Sequence, residues 1–180
     1  MKILKIIGLV IVGIIALLLV TALFVKREYG VKREIVINKP SQQVFDYVKF
    51  LKNQDNFSVW AMRDPAMKKG FKGKDGTVGA VASWDSQEKH VGKGEQEITS
   101  IEEGKRLDFE LRFYEPFEAK DHAYMSTEAL DSTQTKVTWG FDGKMPYPMN
   151  LMLLCMNMDE MLGKDLQDGL NNLKPILEKK

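Results

Sequence analysis

Residues 107–113 read Leu-Asp-Phe-Glu-Leu-Arg-Phe, with apolar side chains at every odd position and charged ones between. Successive side chains of an extended chain point to opposite faces, so this period of two predicts a strand with one face in a core and one in water. The neighbouring segments keep the same rhythm. Val78, Ala80, Ala82 and Trp84 alternate, Val91–Ile101 forms a second run, and Phe117–Leu130 and Lys136–Phe141 complete the series, the last placing Val137, Trp139 and Phe141 on one side. Glu103-Gly104-Lys105 and Asp131-Ser132-Thr133 are short polar connections of the kind antiparallel hairpins use. The order predicts a meander.

Upstream, Val31–Ile37 predicts a first strand, broken by Asn38-Lys39-Pro40-Ser41. Proline is tolerated at a helix start and Ser41 can accept from first-turn amides, so a helix follows, with Val44, Phe45, Val48 and Leu51 on one face. A short helix or turn is expected over Asn53–Trp60, then a polar, glycine-rich stretch from Lys68 to Gly76. After Pro146 and Pro148, the residues Cys155, Met158, Leu162, Leu166, Gly169, Leu173 and Ile176 recur at three- and four-residue spacing, which predicts a long amphipathic helix. Gly169 on that stripe fits either a close approach to the sheet or a kink. The expected fold class is α+β: a curved antiparallel sheet of about six strands wrapped around a long C-terminal helix, with a cavity left where the two do not close.

The N-terminus has a different character. From Ile6 to Val25 there is no charge, and 17 of these 20 positions are Ala, Val, Ile, Leu or Phe. As a helix this stretch spans about 30 Å, the thickness of a bilayer's hydrocarbon core, and residues 1–25 are read as a transmembrane anchor. A cleaved signal peptide would have a shorter apolar region and small residues before the cut, for which Thr21–Ala22 is a weak candidate. Residues 26–30 read as a linker and 31–178 as the folded domain. Lys26, Arg27, Lys32 and Arg33 after the span outnumber Lys2 and Lys5 before it, favouring a cytoplasmic domain, whereas a short basic start with one long apolar segment behaves as a signal-anchor and exports the domain C-terminal to it. Export is the expected outcome.

Composition narrows the function. The 180-residue chain is 44% hydrophobic and 28% charged, which supports one packed domain. Without residues 1–25 it carries 24 basic against 25 acidic residues, which argues against nucleic acid as a partner. The single cysteine, Cys155, excludes an internal disulfide and a cysteine-built zinc site. No metal or cofactor is expected.

Three stretches resemble the SRPBCC superfamily, the START-like helix-grip proteins that include lipid-transfer domains and polyketide cyclase/dehydrase-like proteins. The opening Ile35-Val36-Ile37-Asn38-Lys39-Pro40 with Val44-Phe45-Asp46-Tyr47-Val48 is similar to the family's start. Gly76-Thr77-Val78-Gly79 with Trp84, then Gly92-Lys93-Gly94-Glu95 leading to Ile98, resembles its central strands, and the last helix occupies the family's position. The resemblance covers about residues 31–178 and implies a shared fold and cavity, not a shared chemistry.

The cavity is expected to be lined by Trp84, Phe109, Leu111, Phe113, Tyr124, Trp139 and Phe141 from the strands and by Met149, Leu153 and Met156 from the helix. Six of the ten methionines lie between Met145 and Met161, and methionine adapts to varied apolar partners or fills an irregular core. Catalytic signals are poor, and no catalytic residue is assigned. His90 reads as solvated and His122 as a cross-strand partner, while Glu95, Tyr114 and Tyr124 are the acid–base candidates if the domain is a cyclase-like enzyme. The leading expectation is a non-enzymatic domain that binds a hydrophobic small molecule or lipid, tethered to the bilayer by residues 6–25 of a single-pass protein of a bacterial inner membrane. A structural envelope module with a filled core is the third.

Overall fold

The computed structural model describes residues 2–88 and 90–179. Helix α1 (Lys2–Phe24) leads into strand β1 (Glu28–Ile37), followed by α2 (Ser41–Val48), a 3₁₀ turn (Leu51–Asn56) and α3 (Val59–Arg63). Six strands come next: β2 (Lys68–Lys72), β3 (Val81–Asp85), β4 (Lys93–Glu102), β5 (Arg106–Glu115), β6 (Ala119–Ala129) and β7 (Thr135–Lys144). A 3₁₀ helix (Met149–Leu154) precedes the closing helix α4 (Met158–Glu178). The strands form one antiparallel sheet in the order β1-β7-β6-β5-β4-β3-β2, so the chain's first strand closes on its last. This is the α+β helix-grip architecture.

Alternation sets the faces. Leu107, Phe109 and Leu111 on β5 are buried, and their partners across β6 are Met125, Ala123 and Asp121. Helix α4 lies over that concave face, burying Leu166, Leu170 and Leu173 against Ile37, Ile98, Phe109 and Val137. Each such aliphatic side chain contributes about 1.5–3 kcal/mol by leaving water. Polar clamps fix the helix along β1. Arg33 donates to both carboxylate oxygens of Asp159 at 2.8 Å, the Lys174 ammonium donates to the Val36 carbonyl at 2.7 Å, and the Asn38 amide donates to Glu178 at 2.6 Å. Gly169 is buried at the crossing, where an added Cβ would stand 2.7 Å from the Trp139 ring. Of its two expected roles, close approach is the one realised.

Several boundaries depart from expectation. There are seven strands because Lys68–Lys72, read as a polar stretch, pairs with β3 while half-burying only Phe71. β1 starts at Glu28, opposite Lys144, so most of the 26–30 linker is strand. The alternating run from Val78 is strand only from Val81, because Gly76 and Gly79 hold positive φ (72° and 84°) and Val78 is exposed.

The largest correction concerns the closing helix, which begins at Met158 rather than after Pro148. The Asn157 side chain accepts from the Glu160 amide at 3.1 Å, a strong N-cap, and Asp159 and Glu160 complement the helix dipole in the first turn. Of α1, Ala22 is buried, and its neighbours in the last turns meet the 3₁₀ helix. α1 is the one helix among the described residues long and apolar enough to cross a membrane.

Candidate functional site

The core fills only part of the space under α4. Away from α1, Ile98, Leu107, Phe109, Met125 and Val137 pack solidly with Val44, Phe45, Leu170 and Leu173. Toward the other end the sheet and helix diverge around a cavity of about 800 Å³, within the usual size of a small-molecule site. Its apolar walls come from Leu111 and Phe113 on β5, Ala82 and Trp84 on β3, Trp139 and Phe141 on β7, and Met158, Leu162 and Leu166 on α4. Trp60 on α3 and Leu51 form the side wall. All three tryptophans of the chain line this space. Edge-on aromatic pairs brace it: Trp60 with Trp139 at 6.0 Å between centroids, and Trp84 with Phe113 at 6.0 Å.

Of the ten residues expected to line the cavity, Trp84, Leu111, Phe113, Trp139 and Phe141 do. Phe109 points the same way but is fully buried in the packed half. Tyr124 faces the opposite, convex side. Its ring covers Gly140 and lies 3.9 Å below the Arg106 guanidinium, while the small Ala123 and the flexible Met125 take the inward positions opposite bulky Phe109 and Leu107. Met149, Leu153 and Met156 are not cavity residues either, because the chain breaks at Asn157 and carries them out to the end of α1.

The acid–base candidates are also convex. Glu95 accepts from Arg112 at 2.6 Å, and the same guanidinium holds Glu97 at 2.7 Å and Glu110 at 2.6 Å. Hydrogen bonds from Tyr114 and Arg112 keep the Glu95 carboxyl below its ordinary range, overcoming the burial that would raise it. That is a structural cluster. His122, as expected, is a cross-strand partner, bridging Asp108 at 3.0 Å and Asp142 at 3.1 Å.

Among the polar residues of the cavity wall, three that sequence reasoning passed over are Tyr29, Asp121 and Gln54. Tyr29, from the segment read as a linker, and Asp121 sit beside each other, on the inner faces of β1 and β6. Burial pushes the Asp121 carboxyl above its ordinary value, against the Lys144 amide that donates to it at 3.1 Å. Burial, with the nearby Asp121 charge, pushes the Tyr29 phenol up to about 12. Gln54 lines the side wall, and its buried Nε2 meets no acceptor among the described residues. The signal for Asp121 was its even spacing with Ala123, Met125 and Thr127, which competed with the bulkier His122–Tyr124 phase.

A carboxyl whose folded pKa is raised opposes the fold once ionised. The penalty is fully present above the folded pKa and disappears as pH falls to the unfolded value. Asp121→Asn therefore raises stability at pH 7 and leaves it nearly unchanged at pH 3. Urea unfolding at both pH values checks this, and equal effects at both would refute the buried-charge account.

These features define the class: a helix-grip domain with a hollow, aromatic-walled interior. No protein-family model and no curated protein matches the sequence. Solved structures do match the fold. A protein from Mesorhizobium loti superposes with a TM-score of 0.59 at 14% identity, covering 83% of this chain and 97% of its own. A protein from Nitrosospira multiformis gives 0.57 at 15% identity, covering 84% and 97%. Ara h 8.0201 gives 0.55 at 14% identity, covering 83% and 97%. At such identities the likeness establishes the fold alone.

Proposed function

We propose that this chain is a membrane-tethered domain that binds a hydrophobic small molecule or lipid between its sheet and α4, on the exported side of the membrane. The observation that carries the reading is the cavity itself: about 800 Å³, walled by aromatic and aliphatic side chains. Three of its polar groups suit the head of such a ligand. Tyr29 and Asp121 can hold a hydroxyl or similar head group, and the Gln54 Nε2 offers a donor to a carbonyl or carboxylate oxygen. An anchor raises the local concentration of the mouth near a lipid source, since tethering converts encounter into an intramolecular event.

The tryptophans provide the test. The full chain in nanodiscs is titrated with cis-parinaric acid, and energy transfer from Trp60, Trp84 and Trp139 is followed. The expected result is saturable transfer that non-fluorescent fatty acid displaces. Transfer no greater than that of a nanodisc carrying an unrelated anchored protein would sink the reading.

A second reading is favoured by one observation, the Asp121–Tyr29 pair within an apolar cavity, where a carboxyl of raised pKa is suited to proton transfer. It assigns acid–base work to Asp121 in place of Glu95, Tyr114 or Tyr124. Ligand binding that survives Asp121→Asn, with bound ligand recovered chemically unchanged from the native protein, leaves the carrier reading standing alone.

A further inference from the structure

From Met145 to Met158 the chain carries no charged residue. The structure lays this stretch against the end of α1. Asn150 is fully buried, and its Nδ2 donates to the carbonyls of Ala22 at 2.8 Å and Val25 at 2.9 Å, closing the C-terminal turn of the helix from outside. The Tyr147 hydroxyl donates to the Leu19 carbonyl at 3.2 Å. Leu19 lies five residues before the end of α1 at Phe24, about 7 Å along its axis. The segment that reaches it therefore sits beside the outer turns of the apolar span rather than beyond them. Its other side is uncovered: Met149, Met152 and Leu154 are 41%, 44% and 64% exposed.

The hollow end of the domain is the same end. Glu28 pairs with Lys144, Phe113 with Ala119 and Asp85 with Lys93, so the strand ends next to α1 are the ones that rim the cavity. Phe117, in the turn between β5 and β6, lines the cavity there and is 71% exposed. Charges resume at the edges of the apolar segment, with Lys144 before it and Asp159 and Glu160 after it, and Arg27 stands 5.9 Å from the Tyr147 ring. Basic residues and tyrosine gather where a span meets head groups.

We infer that residues 145–156 lie in the interfacial layer of the leaflet in which α1 ends, and so seat the open end of the cavity on the bilayer. The occupant of the exposed Met149–Leu154 surface is lipid. An immersion of about 5–10 Å, normal for interfacial helices, is the depth at which Tyr147 meets α1. Continuity with the anchor argues for lipid over a protein partner. The inference rests on the tethered reading above and deepens it: the guest passes between leaflet and cavity without crossing water.

Cys155, the single cysteine and an exposed one, gives the test. The full chain is reconstituted in phosphatidylethanolamine–phosphatidylglycerol vesicles and treated with a charged, membrane-impermeant maleimide. The reference is Ser132→Cys in a Cys155→Ser background, placed in the exposed β6–β7 turn at the opposite end and subject to the same insertion orientation. Cys155 is expected to react about tenfold or more slowly than the reference, and a fluorophore coupled there is expected to be quenched by brominated phospholipid. Equal rates would place the segment in water and overturn the inference while the anchor stands. Slow reaction without quenching would mean that a second copy covers the surface, and also overturns it. Release of the chain by alkaline carbonate would remove the anchor reading itself, and this inference with it.

Discussion

Gly169→Val is expected to lower the thermal midpoint of the domain by roughly 2–8 °C. At this position the backbone of α4 rests directly on the Trp139 side chain of β7. A Cβ would stand 2.7 Å from the Trp139 ring and 3.4 Å from the Phe57 carbonyl oxygen. The Trp139 ring is braced by Phe57, edge-on at 5.5 Å, and by Trp60 at 6.0 Å, so a shift away from the helix disturbs both pairs. Overpacking of this kind costs about 1–3 kcal/mol. Replacing glycine within a helix returns less than about 1 kcal/mol of that. The net loss is about 1–2 kcal/mol, and each kilocalorie moves the midpoint of a domain this size by about 2–4 °C. Near-UV circular dichroism follows the transition through the packed Trp60, Trp84 and Trp139 together. Asn171→Val, on the exposed face of the same helix, is the control, with an effect within about 0.5 kcal/mol. Similar losses from both substitutions would mean that the close approach contributes nothing.

The second large effect is on binding. Ala82 and Ala123 are small residues in the cavity wall, the first on β3 and the second on β6. In the double variant Ala82→Phe/Ala123→Phe, two phenyl rings enter the space between Trp84, Leu111 and Phe141. Saturable energy transfer from the tryptophans to cis-parinaric acid is expected to fall by about tenfold or more, equivalent to about 1.4 kcal/mol or more of binding free energy. Ala123 is also packed opposite the buried Phe109, so the double variant is expected to lose some stability, and binding is read at a temperature where it remains folded. Undiminished transfer in a folded double variant would place the ligand somewhere else.

The sheet and the grip were legible because they rest on local periodicity. Leu107–Phe113 alternates so cleanly that the face of β5 follows from the sequence, and Leu162, Leu166, Gly169 and Leu173 mark the buried stripe of α4. Where the reading failed, a long-range contact had decided the outcome. β2 has almost no apolar pattern and is a strand because β3 offers it an open edge. On β6 two phases compete. Pattern alone favoured Tyr124 as the inward residue, but Phe109 and Leu107 across the ladder leave room for Ala123 and Met125. That one-residue choice of phase also decides Asp121, which is why half the aromatic wall was legible and its polar corner was not. The methionine-rich segment carries a stripe from Cys155 but is α-helical only from Met158 onward. Asn150 turned the rest toward α1, a partner 125 or more residues away.

The division of the interior into a packed half and a hollow half gives the domain an elastic asymmetry. Ile98, Phe109, Met125 and Leu170 are clenched around one end, where tight packing resists deformation. At the other end the strand tips and α3 border empty space and give way more easily. The molecule is thus built like tweezers, joined at the far end and free at the tips. On the binding reading proposed above, a guest of larger girth is expected to spread the blades while the joint that keeps the fold intact stays undisturbed.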